Sequence, residues 1–235
     1  MGISYLHLDV VDLIYILHEN AGMSQITLKG DLHKYLIKVR RHIEGDELSF
    51  RNKEDIKTLH RYKIINVGGR SLDVELISSK IEEVKAAKEL HIAWCVIDSK
   101  SIEKVLPSLC EIGVSKISFI YCDRSQKNFK PDFRRFDRII EASMGQSGRT
   151  SIMEFDTYKN IAAFISEFPD TKVFDFTDNI LSGDSDFKRV LIGCEGGFSK
   201  DEKELLKSQE VFRLKTPMVL RSESAVMAVA SKILL

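Results

Sequence analysis

The chain has 235 residues, 43% of them apolar, and balances 35 lysines and arginines against 35 aspartates and glutamates. That length and apolar share suit one large domain or two small ones and exclude a disordered chain. Zero net charge excludes a global electrostatic pull toward nucleic acid or an anionic membrane, so any polyanion has to be gripped by local patches.

The opening residues lack the basic-then-apolar pattern of a secretion signal. Cys95, Cys110, Cys122 and Cys194 lie far apart with no CxxC pair, which predicts a reduced, intracellular protein. The longest apolar run, LHIAWCVI, falls short of the roughly 18 to 20 residues of a bilayer span. The histidines show no zinc-like spacing with one another or with cysteine, so no metal site is expected.

From about Gln25 to Ser79 the pattern reads as strands with one helix inserted. QITLKG is a strand ending at a glycine, and Asp31 is placed to cap a helix with Leu32, Leu36 and Val39 on one face. DELSFRN and YKIINV follow as strands. Gly68 and Gly69 supply a turn, after which Leu72, Val74 and Leu76 alternate with polar residues as in a half-buried strand. The charged stretch SSKIEEVKAAKE marks a boundary near Lys80, giving a small β-rich module over 1–80 and an α/β domain over 81–235.

LHIAWCVI has no alternation, as expected of a strand covered on both faces. A helix with Ile102, Val105, Leu106, Leu109 and Ile112 inward follows and stops at Gly113. Pro107 inside it predicts a kink or a late start, because proline removes a donor and clashes one turn back. KISFIYC is the next strand, Phe133, Phe136, Ile140 and Met144 mark an amphipathic helix, and KVFDFT, RVLIGC and VFRLK are further short strands. The chain closes on an alanine-rich helix, SAVMAVASKILL, whose small side chains let another backbone approach.

Two bends near the carboxyl end carry the chemistry. In LIGCEGGFSKDE, an apolar strand runs into Gly193, Gly196 and Gly197, and Ser199 and Glu202 are spaced as a capping box for the next helix. Strand, glycine bend and helix start can build a nucleotide-like pocket or a tight turn with no ligand. The spacing is neither a dinucleotide fingerprint nor a P-loop. In VLRSESA, Arg221 and Glu223 stand between a strand-like run and the last helix, with Ser222 and Ser224 as candidate caps. Two such bends lie side by side at one edge of a parallel sheet, where α/β ligand sites form.

These motifs, in order along nearly the whole chain, resemble the RsmE family of 16S ribosomal RNA uridine-N3 methyltransferases within the SPOUT (knotted) superfamily. IGCEGGFSKDE resembles the family's IGPEGGFS-x-x-E, and LRSESA its LRTETA. EIGVSKISFIYCDRS, EASMGQSGR and HKYLIKVRRHIEGDEL match its ELGV…P…RS, EA…QSGR and H-x-x-VLR-x-x-x-GD elements. The resemblance implies a PUA-like β-barrel, then an α/β domain with a trefoil knot that binds S-adenosylmethionine, in a cytoplasmic homodimer that methylates N3 of uridine 1498. A knotted enzyme acting on another RNA site, or a catalytically silent RNA-binding assembly factor, are the alternatives.

Carried over by position, Ile192, Gly193, Glu195, Gly196 and Gly197 form one wall of the cofactor site. Leu220, Arg221, Ser222 and Ala225 form the other, with Leu214 beneath and Phe176 and Thr177 at an adjacent strand end. Lys34, Arg40 and Arg41 in the small module, and Arg124, Gln146 and Arg149 beyond it, are expected RNA contacts, among further basic residues at Lys38, Lys127, Lys130, Arg134, Arg135 and Arg138. The chain departs from the family at Cys194 (proline there), Thr216, Met218 and Ser108. Methyl transfer from a sulfonium is an in-line displacement in which the protein mainly aligns the partners. The N3 proton must leave, so Arg221 is expected to stabilise charge on the uracil carbonyls and Glu223 to orient the ring or take the proton.

Overall fold

The computed structural model describes residues 14–126, 128, 130–182 and 187–235, so Lys127 lies outside the described residues. The chain forms two compact units, each with its own sheet. Of the described residues, the first unit holds those up to Val84 together with Met144–Thr150, and the second holds those within Lys85–Ser143 and Ser151–Leu235.

The sheet of the first unit contains β1 (Ile16–Leu17), β2 (Gln25–Lys29), β3 (Glu47–Arg51), β4 (Thr58–Val67) and β5 (Ser71–Ile81), in the order β1-β3-β4-β5-β2. All neighbours are antiparallel except β1 beside β3. Alternation along the strands turns Leu28, Phe50, Tyr62, Ile64, Leu72 and Val74 inward to one core. Two register shifts in the β4–β5 ladder curl the sheet, and Gly68 donates to the Ser71 carbonyl in the turn between those strands.

The helix between β2 and β3 differs from expectation. Its α-helical part, α1 (Gly30–Lys34), has Lys29 at the N-cap with no side-chain cap, and Asp31 instead pairs with Lys34 inside the first turn. The chain then winds as a π-turn over Tyr35–Val39, with Arg40 donating to the Tyr35 carbonyl. The extra residue in that turn rotates Val39 into solvent, at 66% exposure, and Ile37 packs against the core with Leu32 and Leu36.

The second unit is a six-stranded, wholly parallel sheet: β6 (His91–Cys95), β7 (Lys116–Ile120), β8 (Glu154–Tyr158), β9 (Lys172–Phe174), β10 (Arg189–Ile192) and β11 (Val211–Phe212), in the order β11-β9-β10-β6-β7-β8. Every residue of β6 is buried, as its unbroken apolar run predicts. Helix α2 (Ser99–Ile112) is capped by the Asp98 carboxylate and ends at Gly113, whose φ of 108° few other residues adopt. Pro107 neither delays nor ends this helix. The Pro107 carbonyl accepts from the Ser143 hydroxyl at 2.9 Å.

Helix α3 (Phe133–Ser147) brings Phe133 and Phe136 against Phe119 and Phe155. α4 (Ile161–Glu167) and α5 (Lys200–Leu205) are short. The last helix, α6 (Ser222–Leu234), packs on α2 and β10 through Ala225, Val226, Val229 and Ala230. Among the described residues no helix is long and apolar enough to cross a membrane.

Candidate functional site

The sheet's parallel strands end together, and the two bends foreseen in the sequence meet at those carboxyl ends. β10 leads into the glycine loop, where Gly197 has φ 63° and Gly193 leaves room for Gly197 and the Phe198 ring to lie within 3.4 Å of where a Cβ would sit. Opposite stand the segment from Leu214 to Leu220 and the start of α6. Between them opens a cleft of about 680 Å³, floored by Ile192, Leu214 and Leu220 and flanked by Phe174–Asp178 from the end of β9. A volume of that size suits a small-molecule ligand, and the site sits where open α/β sheets bind theirs.

One buried hydroxyl ties the two walls. The Trp94 indole donates to Ser222 Oγ at 2.8 Å, and Ser222 Oγ donates to the Gly193 carbonyl at 2.6 Å. Ser222 thus joins β6, the glycine loop and the first turn of α6. It does not cap the helix, whose N-cap is Arg221 with no side-chain bond.

The far side of the loop is fixed by the capping box. Ser199 Oγ accepts from the Glu202 amide at 3.2 Å while Glu202 Oε2 accepts from the Ser199 amide at 2.8 Å, and Glu202 Oε1 takes the Asp123 amide at 2.8 Å. The loop after β7 is thereby locked to α5. From that loop Arg124 crosses to donate to the Gly196 carbonyl, with its stem 3.1 Å from where a Gly196 Cβ would lie. On the third side Arg213 donates to the Thr177 carbonyl at 2.7 Å, and Lys203 pairs with Asp175 at 3.0 Å.

Of the residues expected at the cofactor, Phe176, Thr177, Ile192, Gly193, Glu195, Gly196, Gly197, Leu214, Leu220, Ser222 and Ala225 all line the cleft, as do the departures Cys194, Thr216 and Met218. Arg221 is exposed and is not part of the lining, nor is Glu223, whose Oε2 is buried with no hydrogen-bond partner. Cys194 is buried, and its contact with Cys122, then burial, pushes its thiol up, so it stays protonated and is not an activated nucleophile.

Lys34, Arg40, Arg41 and Gln146 are exposed in the first unit and Arg124 in the second. Arg40 lies 5.9 Å from the Tyr35 ring centroid, and Arg41 holds the positive φ of 60°. Arg149, expected on the surface, is only 5% exposed, so its guanidinium does not extend an open basic patch. Sequence reasoning missed the lining residues Asp175, Lys203 and Arg213 and the role of Trp94. Only Trp94 carried a signal, as the sole tryptophan of the chain set in its most apolar strand.

The family profile for the RNA methyltransferase domain matches residues 84–234. The chain is 35% identical over 221 residues to ribosomal RNA small subunit methyltransferase E of Helicobacter pylori, covering 92% of this chain and 97% of that protein. It is 26% identical to the protein of that name from Aquifex aeolicus, covering 93% and 97%. Its fold matches the crystal structure of ribosomal RNA small subunit methyltransferase E from Neisseria gonorrhoeae bound to S-adenosyl methionine, with a TM-score of 0.72 at 15% identity, over 93% of this chain and 95% of that one.

Proposed function

The chain belongs to the ribosomal RNA small subunit methyltransferase E family, and from that premise we propose that it transfers a methyl group from S-adenosylmethionine to N3 of a uridine, uridine 1498, in 16S ribosomal RNA. The observation that carries this reading is the cleft itself: the two motif bends form facing walls of one pocket and are pinned together by Ser222.

The residues present suit the cofactor. Ile192, Leu214 and Leu220 give an apolar floor for an adenine ring, glycines at 193, 196 and 197 leave backbone accessible, and the Asp175 and Glu195 carboxylates suit a cationic amino group. When bound, S-adenosylmethionine supplies an already activated methyl. Ser222 and the capping box hold the walls so that donor and acceptor can be aligned. To Arg221, exposed at the start of α6, we assign the uracil carbonyls, and to Glu223, in the first turn of that helix with an unpartnered oxygen, the N3 proton.

The same proposal assigns 1–80 to a PUA-like RNA-binding barrel and 81–235 to the catalytic domain, with Lys34, Arg40, Arg41, Arg124 and Gln146 on the RNA. The curled antiparallel sheet supports the first assignment. A trefoil knot is supported by the strand order: β11 lies at the sheet edge beyond β9, yet α6, which follows it, packs back on β10 and α2. Phe176, Met218 and Val219, each more than 70% exposed around the cleft, support a homodimer. A cytoplasmic location follows from a ribosomal substrate.

The test is single-turnover methylation of small subunits with saturating cofactor. Arg221→Ala and Glu223→Gln are each expected to slow the step by about 10²-fold or more, in the range of one lost acid–base or oxyanion group, while cofactor affinity stays within a few-fold. Near-normal rates for both variants would overturn the roles given to the pair.

A further inference from the structure

Behind the glycine loop three thiols converge that methyl transfer does not use. Cys194 lies two residues beyond Ile192, the end of β10; Cys122 lies two beyond Ile120, the end of β7; and Cys95 ends β6, the strand between them. The Cys122 and Cys194 sulfurs are 3.6 Å apart, and Cys95 hydrogen-bonds Cys122. Cys194 also lines the cleft.

We propose that Cys122 and Cys194 are an oxidisable pair whose disulfide deforms the glycine wall and closes the cleft to its cofactor. The inference rests on the reading of the cleft as the S-adenosylmethionine site.

A disulfide needs its sulfurs about 2.05 Å apart, so the pair must close by about 1.5 Å. The two partners differ in how freely they can move. Cys122 is anchored, its amide donating to Ser125 Oγ at 3.0 Å and the next amide, of Asp123, to Glu202. Cys194 is bonded too, its carbonyl accepting from the Gly197 amide at 2.9 Å, but it sits between Gly193 and the Gly196–Gly197 pair, where the backbone turns most readily. The displacement therefore falls on the wall of the cleft.

The surroundings also favour reaction at one sulfur. Hydrogen-bond contact with Cys194, then with Cys95 and Ser125, holds the Cys122 thiol down against its burial, while Cys194 is held up. The Cys122 and Cys194 residues are each 7% exposed, whereas Cys95 and Cys110 are fully buried, so an oxidant as small as hydrogen peroxide can reach the pair from solvent. The Cys122 thiolate attacks a peroxide oxygen; the O–O bond breaks, and the released hydroxide takes up the proton Cys122 had lost, forming water. Oxidised to a neutral sulfenic acid, Cys122 no longer holds the Cys194 proton in place; Cys194 then attacks the sulfenic sulfur, its proton passing to the departing hydroxyl, so that the S–S bond forms, the S–O bond breaks and a second water leaves. Two electrons pass from the sulfurs to one peroxide.

The full-length protein, reduced and then treated with hydrogen peroxide, is digested without reductant for mass mapping and titrated with S-adenosylmethionine by calorimetry. The expected result is a 122–194 linkage, a tenfold or greater loss of affinity, and recovery with dithiothreitol. Saturating S-adenosylmethionine should slow the linkage, since it covers Cys194. Cys122→Ser and, as a second variant, Cys194→Ala should form no linkage and show the same affinity before and after peroxide. A 95–122 linkage, sulfinic acids in place of a disulfide, or a mapped 122–194 disulfide with unchanged affinity would overturn the proposal. If the reduced protein fails to bind S-adenosylmethionine, the reading of the cleft falls and the gating with it, an outcome distinct from failure of the disulfide to form.

Discussion

Ser222 concentrates more of the site's order than any other single side chain described. Its hydroxyl is donor to Gly193 at 2.6 Å and acceptor from Trp94 at 2.8 Å, the first bond part-buried and the second buried. Removing it leaves an indole N–H and a carbonyl without partners, each costing about 1–3 kcal/mol when dry. Ser222→Ala is therefore expected to lower the free energy of unfolding by about 2 kcal/mol, measured in urea. With Trp94→Phe added, the two costs should fall short of their sum, because they break one shared bond. The sequence placed Ser222 at the cofactor wall through motif and resemblance, and it does line the cleft. What no local pattern conveyed was the partner 128 residues away, since hydrogen bonds across a sheet depend on strand order rather than spacing.

At the level of elements, legibility followed burial. β6 and α2 were readable because both faces of one and a single stripe of the other are apolar. β8, at the sheet edge and nowhere fully buried, passed unread, and the π-turn at Tyr35–Val39 broke a helical period that the residues themselves suggested. The amino ends of β6, β7 and β8, opposite the cleft, hold a second polar cluster with a pH signature. His91 Nε2 lies 2.7 Å from Ser118 Oγ, which also bonds Asp156, and Lys116 pairs with that carboxylate at 2.7 Å. Phe164 and Phe168 face the imidazole edge-on. Burial, then the charge of Lys116 with a smaller part from Arg189, holds His91 at about 4 against the opposing pull of Asp156. An unfolded histidine titrates near 6.5, so between those values only the unfolded chain takes the proton. Stability is then full above about pH 6.5 and declines as pH falls toward 4. Urea unfolding at pH 7.5 and pH 4.5 should differ by on the order of 2 kcal/mol from this group, and His91→Asn should remove that share.

For the molecule as a whole, a net charge of zero conceals local surplus. Lys34, Arg40 and Arg41 are exposed on the first unit; Arg124, Lys130, Arg134 and Arg138 are exposed on the second. If both units grip RNA, affinity should fall steeply with salt, each phosphate contact adding about 0.7 to 0.9 to the slope of log K against log salt. Replacing Lys34, Arg40 and Arg41 with glutamine should lower that slope by about 2, read by filter binding across a salt series. An unchanged slope would place the RNA elsewhere.

The strand order also has a consequence in time. β6 pairs on one side with β7, close behind it in sequence, but on the other with β10, Arg189 lying opposite His91. A ribosome adding about 5 to 20 residues per second needs roughly 5 to 20 s to make the hundred or so residues between them. For that interval the most apolar strand of the nascent chain has one edge unpaired. Slow or stalled synthesis between Ile120 and Arg189 would therefore favour chaperone capture or aggregation, although the finished enzyme buries that edge completely.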